Sequence, residues 1–512
     1  MAEDLAGRVR TVLDVDAEEF QREAEADAEV VKAGLRDGAF DNHQSIIGLE
    51  YEFYAVDDGR WADEADAERR YSLMRVPRRL LELIGFEKEL GLHNAEMTTS
   101  PQPFNPYGLR AQENEVLARL STALDCTAAE GMRLVSDALW TVPPAGETAR
   151  GYLTDSVVDD GVAIATNMSD AVRYHAMANG RGDDEFSVEA PHVDLSADTV
   201  MPESLITSIQ PHFQMAHAAD LPTYFNYAVR IAGPLLALGV SSPFFPPDLY
   251  EDGVDAETLL ADAWDENRVA VFESVLNTAT GQDKVAFPED LSTVEEAVDR
   301  VVEDEIFVPM PVERAGDRFD DDFATLRMKH GTYWRWVRPV FGGASRSAAN
   351  ARIEFRPIPA QPTVRDSMAF QAAFAGLMQS LVRRQHPVVD QEWETARENF
   401  YAAMRNGLNS GQRWITNDGQ ETTDLVAVYD DILAHAADGL KSAGCSAAEA
   451  ERYVAPLQAR VETARTPADW KREQVKSRLA DGDDFETAVT GMQRTYVERQ
   501  TETLLDGSFA DW

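Results

Sequence analysis

The sequence predicts an α+β fold, and two patterns with one absence carry that reading. Between Ser45 and about Arg356, short segments of alternating apolar and polar residues are mixed with helical patterns. From Thr363 onward the pattern is almost wholly helical. The regular strand–helix alternation of a doubly wound parallel sheet is missing, and so are the GxGxxG and GxxxxGK[ST] phosphate loops. HExxH and GxSxG are absent too, so zincin and hydrolase chemistry lose their usual support. Three regions follow: an acidic helical segment over 1–44, a sheet domain over 45–362 and a helical region over 363–512.

In chain order, Asp16 followed by Glu19 resembles a capping box, with Phe20, Val30, Val31 and Leu35 as an apolar stripe behind it. The first strand is Ile46 to Tyr54. Ile47, Leu49, Tyr51 and Phe53 face one side; Gly48, Glu50, Glu52 and Tyr54 face the other. Glu50 and Glu52 are then neighbours on one face. Such a pair repels itself unless water or a cation intervenes, and Mg²⁺ prefers carboxylate oxygen. A wet strand face and a cation site are both open here. Glu96 follows in His93–Ser100, just before a turn at Pro101.

Loops rich in Gly and Asp are expected at 57–68, 180–185 and 314–322. Ser208–Met215 places Gln210, His212 and Gln214 on one face, and Pro211 suits an edge strand or a bulge. His212 is either a hydrogen-bonded structural residue or a ligand. Tyr333–Pro339 is an aromatic strand whose Trp334 and Trp336 suit packing, with Arg338 as a candidate anion ligand. Ala351–Arg356 turns Ile353 and Phe355 inward and puts Arg352, Glu354 and Arg356 in one row. That row is either a structural ion-pair ladder or a metal-binding carboxylate flanked by guanidiniums that hold phosphate. Helices are expected from about Thr363, Asp390, Thr423, Ala447, Pro467 and Asp484, each set off by Pro, Gly or Asn/Asp signals.

Composition bounds the rest. Of 512 residues, 44% are apolar and 27% charged, which is globular and not disordered. The 90 acids against 47 bases leave a net charge of −43, which argues against nucleic acid and anionic membranes as partners. Acid is spread along the whole chain and lysine is scarce, a balance that suits a salt-rich cytoplasm, so a halophilic, cytoplasmic protein is expected. The longest apolar stretch, near 231–245, is too short to span a membrane, and the N-terminus lacks a secretory pattern. Cys126 and Cys445 are far apart and form no CxxC site, so both are expected to be buried reduced thiols.

Several strands thus project carboxylates, one histidine and arginines from one face, which is what phosphoryl transfer from Mg-ATP to a carboxylate needs. The ordered motifs also resemble those of glutamate–cysteine ligase family 2, a group of carboxylate–amine ligases. They are Gly48-x-Glu50-x-Glu52, Ala95-Glu96-Met97-Thr98, Gln210-Pro211-His212-Phe213, and Pro234-Leu235-Leu236-Ala237-Leu238 with Ser241-Ser242-Pro243-Phe244. Trp336-x-Arg338-Pro339, Arg352-Ile353-Glu354-Phe355-Arg356 and Glu398-Asn399 through Arg405-Asn406-Gly407-Leu408 complete the set, over roughly residues 45–445. Pro211 departs from the family's β-branched residue, Gly239-Val240-Ser241 from its Ser-Ala-Asn, and Gly151–Pro202 has no counterpart.

The resemblance implies a glutamine synthetase/guanido kinase-like antiparallel sheet backed by helices. It implies ATP and Mg²⁺ as cofactors, small-molecule amino acid substrates and γ-glutamylcysteine formation through an acyl phosphate, as in glutathione biosynthesis. Carried over, Glu50, Glu52, Glu96, His212 and Glu354 are metal ligands. Arg352 and Arg356 contact ATP or acyl phosphate, and Arg338 a substrate carboxylate or phosphate. A carboxylate–amine ligase with other substrates, a phosphotransferase on the same scaffold, and a non-catalytic relative are the alternatives. A homo-oligomer is compatible with the helical region.

Overall fold

A computed structural model of the chain describes residues 4–60, 69–180, 185–277, 283–312, 314, 316 and 318–512. Parts of the three expected loops, at 61–68, 181–184, 315 and 317, lie outside the described residues. Helices α1 (Leu5–Leu13) and α2 (Ala17–Arg36) open the chain. The Asp16 carboxylate accepts the Glu19 amide at 2.9 Å and so caps α2. Phe20 and Val31 are buried as expected, but Val30 is 45% exposed, because the buried stripe runs instead through Ala24, Asp27 and Ala28.

The centre is a mixed-length antiparallel sheet. Its strands are β1 (Ile46–Asp57), β2 (Glu87–Lys88), β3 (Asn94–Thr98), β4 (Gln102–Pro103), β5 (Met132–Val135), β6 (Ile209–Gln214), β7 (Val337–Gly342) and β8 (Asn350–Phe355). They lie in the order β7-β8-β6-β1-β3-β2, with β4 and β5 also pairing with β1. Alternation sets the faces. Ile47, Leu49, Tyr51 and Phe53 are buried in the core, whereas Gly48, Glu50 and Glu52 are only partly covered. Tyr54, expected beside the acids, is buried and accepts a bond from Gln493 at 2.8 Å.

Pro211 corrects the edge-strand expectation, because β6 is central, between β1 and β8. Its missing N–H is tolerated because the β6–β8 ladder covers only His212 to Gln214. Beyond that end, Ile209 bonds the Ile358 carbonyl instead, at 3.1 Å.

Helices back the apolar face: α3 (Pro106–Ala128), α4 (Leu221–Gly239), α6 (Val364–Arg384), α7 (Trp393–Asn406) and α8 (Leu425–Ser442), whereas α5 (Asn267–Asn277) flanks the acidic face, where Phe272 meets Arg356. After them come α9 (Ala447–Thr463), α10 (Pro467–Asp481) and α11 (Phe485–Thr503). Phe374 of α6 stacks on Phe355 of β8 at 4.5 Å, and Ser367 donates to the Tyr51 hydroxyl at 2.9 Å. Helices α6 and α8 cross at Gly376 and Gly439, where a Cβ on Gly439 would stand 1.8 Å from the Gly376 carbonyl oxygen.

The last helices fold back onto the same core. The Lys471 ammonium of α10 donates to both oxygens of buried Asp137, at 2.6 and 2.7 Å, and to the Ser241 carbonyl. On α9, buried Arg460 pairs with Asp366 of α6 at 3.0 Å. Cys445 is buried and Cys126 half-buried, and both are unpaired. No helix among the described residues is long and apolar enough to cross a membrane.

Candidate functional site

Antiparallel register assembles the site. Glu52 lies opposite Glu96, Glu50 opposite Gln210, His212 opposite both Gly48 and Glu354, and Glu354 opposite Arg338. Seven of the eight residues singled out in the sequence therefore fall on five neighbouring strands, and the eighth, Arg356, directly follows β8. Period-two alternation turns their side chains to the face away from the helical backing.

Two cavities meet over this face, and Glu50 lines both. One, of about 390 Å³, is bordered by Gly48, His212, Arg318, Arg327, Asn350 and Arg352. The other, of about 210 Å³, is bordered by Glu52, Glu89, Glu96, Glu203, Arg338 and Arg356. The first gathers three arginines, of which Arg318 and Arg327 share Asp320 of the same lining, an arrangement that can take phosphate; the second is rich in carboxylates. A small extension of the second reaches Arg268 and Phe272.

The Arg352–Glu354–Arg356 row resolves in part as an ion-pair cluster, though not the ladder in sequence order. Glu354 Oε1 takes Arg338 Nε at 2.9 Å and also the Arg356 guanidinium, while Arg352 turns away and donates to His212 Nδ1 at 3.1 Å. Burial would raise Glu354, but Arg338 and Arg356 outweigh it and hold the carboxyl well below its ordinary range. Both contacts fall on Oε1, so Oε2 retains its capacity for a ligand. His212 Nε2 is buried without a hydrogen bond and lies 3.3 Å from Glu50 Oε1, a separation without hydrogen-bond geometry. An orphaned ring nitrogen between two carboxylates fits a cation site, provided the ring proton moves to Nδ1 and Arg352 swings off it.

The second carboxylate group contains residues that sequence reasoning did not select. Glu52 accepts from Ser208 N at 2.5 Å and Gln210 Nε2 at 2.8 Å, yet burial and then the charge of Glu89 push it up to about 7. Burial, and then Glu52 and Glu89, push Glu203 up to about 8. Partial burial, and then a side-chain hydrogen bond with Glu89 and its charge, raise Glu96 well above the usual carboxylate range. Four acids converging with Glu50 nearby make a site that favours either protons or a divalent cation. Arg268 and Arg173 complete the missed set. Arg268 is buried, its Nη2 donates to the carbonyls of Arg356 and Pro357 at 3.1 and 2.5 Å, and burial lowers it to about 10. Glu89 and Glu203 were hidden among 90 acids in segments without a strand period.

These shifts set a sign. Folded values of about 7 and 8 lie above the ordinary 4.5, so the metal-free folded chain holds protons that the unfolded chain has released. The stability these groups contribute is complete below about pH 4.5 and is lost as pH rises through 7 and 8. A cation that favours the ionised carboxylates should restore it. The thermal midpoint gained on adding Mg²⁺ is therefore expected to be larger at about pH 8.5 than at about pH 5.5. A gain equal at both values would remove Glu52 and Glu96 from the ligand set.

A second histidine–carboxylate cluster among the described residues, His386, Asp431 and His435, is closed by contrast. His386 Nδ1 accepts the Val388 amide, so its Nε2 proton goes to Asp431 at 3.0 Å. Trp414 Nε1 and the Asn417 amide take up the remaining capacity of Asp431. His435 meets the Ser380 hydroxyl through Nδ1 at 3.0 Å and leaves Nε2 4.0 Å from Asp431, so His386 and Asp431 are engaged in pinning a hairpin.

A family model described as glutamate-cysteine ligase family 2 (GCS2) matches residues 46–503. No curated protein matches the sequence at a significant level. Among solved structures, the chain is similar to a glutamate–cysteine ligase from Francisella tularensis in complex with AMP. Identity is 13%, the TM-score is 0.49, and 91% of each chain is covered. It is also similar to a bifunctional glutathione synthetase from Pasteurella multocida, at 14% identity and TM-score 0.44, over 93% of this chain and 55% of that one. A third is the complex between the prokaryotic ubiquitin-like protein Pup and its ligase PafA, at 11% identity and TM-score 0.38, over 87% of this chain and 71% of that one.

Proposed function

We propose, from the premise that this chain belongs to glutamate–cysteine ligase family 2, a group of carboxylate–amine ligases, that it joins the γ-carboxylate of glutamate to the amine of cysteine at the expense of ATP. The observation that carries this reading is the meeting of an arginine-lined chamber with a carboxylate-lined one at Glu50. The glutamine synthetase/guanido kinase-like description of the sheet belongs to the same reading.

Glu50, His212 and Glu354 would hold one Mg²⁺, and Glu52, Glu89 and Glu96 another. When bound, the metal supplies charge neutralisation for the polyphosphate. The chain's own residues do the rest. Arg352, once off His212, is in reach of the arginine-lined chamber and would bind nucleotide phosphate there. The acid's carboxylate oxygen displaces ADP at the γ-phosphorus; Arg338 and Arg356, anchored on Glu354, would offset the charge spreading over the transferred group. The amine nitrogen then displaces phosphate from the acyl carbon and loses a proton. Glu203, held at about 8 beside Glu52, is suited to receive it.

The test is ADP release in molar KCl with Mg-ATP, glutamate and cysteine, followed by mass detection of the amide. ADP is expected only when acid and amine are both present. A panel of other acids and amines separates the substrate assignment from the ligase assignment. Folded protein that releases no ADP with any pair would overturn the ligase reading, and ADP release without amide would point to phosphotransfer instead.

A further inference from the structure

A cavity of about 940 Å³ lies outside the two chambers, between α5 and α7. Its wall is shared with the carboxylate chamber through α5. Phe272 of that helix faces the inner side, where Arg356 stands 5.5 Å from its ring. The next residue, Glu273, lines the outer cavity. Glu273 Oε1 accepts from Trp336 Nε1 at 2.7 Å and from the Tyr401 hydroxyl at 2.9 Å, and Oε2 takes no hydrogen bond from the described residues. Asp283, also lining the cavity, forms no ion pair among the described residues.

On the α7 side, Arg397 and Arg405 line the same space and form no ion pair among the described residues. Each is laid on an aromatic ring instead, Arg397 at 5.0 Å from Tyr401 and Arg405 at 5.7 Å from Trp264. In a chain whose acids outnumber its bases 90 to 47, two guanidiniums with no ion pair among the described residues, of which Arg397 acts only at a distance on Glu273, are available for an anionic guest. They are two helical turns apart, about 12 Å along α7, so one ligand meeting both must be longer than a single amino acid.

We propose that this cavity is a second small-molecule site, taking a short acidic peptide whose ammonium goes to Glu273 and Asp283 and whose two carboxylates go to Arg397 and Arg405. The volume is within the range of ligand pockets. Asp304 and Glu398 of the lining are taken up by other bases, whereas Glu289 and Glu303 form no ion pair among the described residues, so four acids face the ammonium end and Arg397 and Arg405 the carboxylates. An amide of two amino acids, one of them acidic, has that charge pattern. The natural occupant would then be the chain's own product, an identification that rests on the ligase reading.

The test is titration calorimetry in molar KCl without nucleotide, using γ-glutamylalanine as the probe. Binding is expected to persist in Arg356→Ala and to weaken at least tenfold in the Arg397→Ala/Arg405→Ala double variant. Glu273→Gln is expected to weaken it similarly while keeping the Trp336 and Tyr401 bonds, because an amide oxygen still accepts them. Binding abolished by Arg356→Ala but untouched in the double variant would mean that the peptide enters only the inner chamber. That outcome, or no binding at all, would overturn the second site and leave the ligase reading intact. Conversely, Arg397- and Arg405-dependent binding in a protein that releases no ADP would keep the site and discard the ligase.

Discussion

Glu354→Gln is expected to reduce turnover at least a thousandfold, about 4 kcal/mol of transition-state stabilisation, while the protein remains folded in molar salt. Glu354 is 2% exposed and anchors both Arg338 and Arg356 on one oxygen. Glutamine keeps the shape and still accepts a guanidinium N–H. It removes the negative charge that balances two buried arginines and, on the reading above, a metal ligand. The residual guanidiniums would repel a cation at His212 and be free to collapse onto other acids in the chamber, such as Glu52 and Glu50, which already act on Arg356. ADP release under saturating Mg-ATP, with circular dichroism as the check on folding, decides the matter. Turnover within tenfold of wild type would make Glu354 a structural clamp only.

The second large effect is on stability. Lys471→Met should cost about 3–5 kcal/mol, the range for removing one partner of a buried ion pair. Asp137 and Lys471 have side chains 0% and 2% exposed, and each is taken from a distant part of the chain. Without the ammonium, Asp137 retains only neutral donors, Ser241 Oγ at 3.1 Å and Gln493 Nε2 at 2.9 Å among them. Pairing Lys471→Met with Asp137→Asn should recover most of the loss, since neither charge is then left alone. Denaturant midpoints in molar KCl measure both. A loss below about 1 kcal/mol would mean that water reaches the pair. The prediction also bears on organisation, because α10 and α11 close on the sheet's apolar side through this pair and through Gln493. We propose that the helical region after 363 is part of the same folding unit.

The strands bearing the site were legible because each shows a clear period of two around charged residues. Ile47, Leu49, Tyr51 and Phe53 could only be a core face, which left Glu50 and Glu52 opposite them. The C-terminal helices were legible from the Pro, Gly and Asn/Asp signals between them, and the structure adds the caps Ser446 with Glu449 and Thr466 with Asp469, local hydrogen bonds within four residues that decide the start. The placement of Pro211 was misjudged because strand order depends on partners far away in the chain. Val30 was misjudged because a helix's buried stripe follows what packs against it.

Local pattern therefore determined the α+β class, the face on which Glu50, Glu52, Glu96, His212 and Glu354 project, and the helical tail. Each of these depends on the period of the backbone and on residues a few positions apart. Tertiary structure alone decided that Glu354 would clamp Arg338 and Arg356, that Arg352 would turn to His212, and that Glu89, Glu203 and Arg268 would join the site. Those contacts bridge irregular segments whose positions follow from packing of the whole core. A charged side chain in such a segment carries no period by which it could be told from the other acids of a chain with 90 of them.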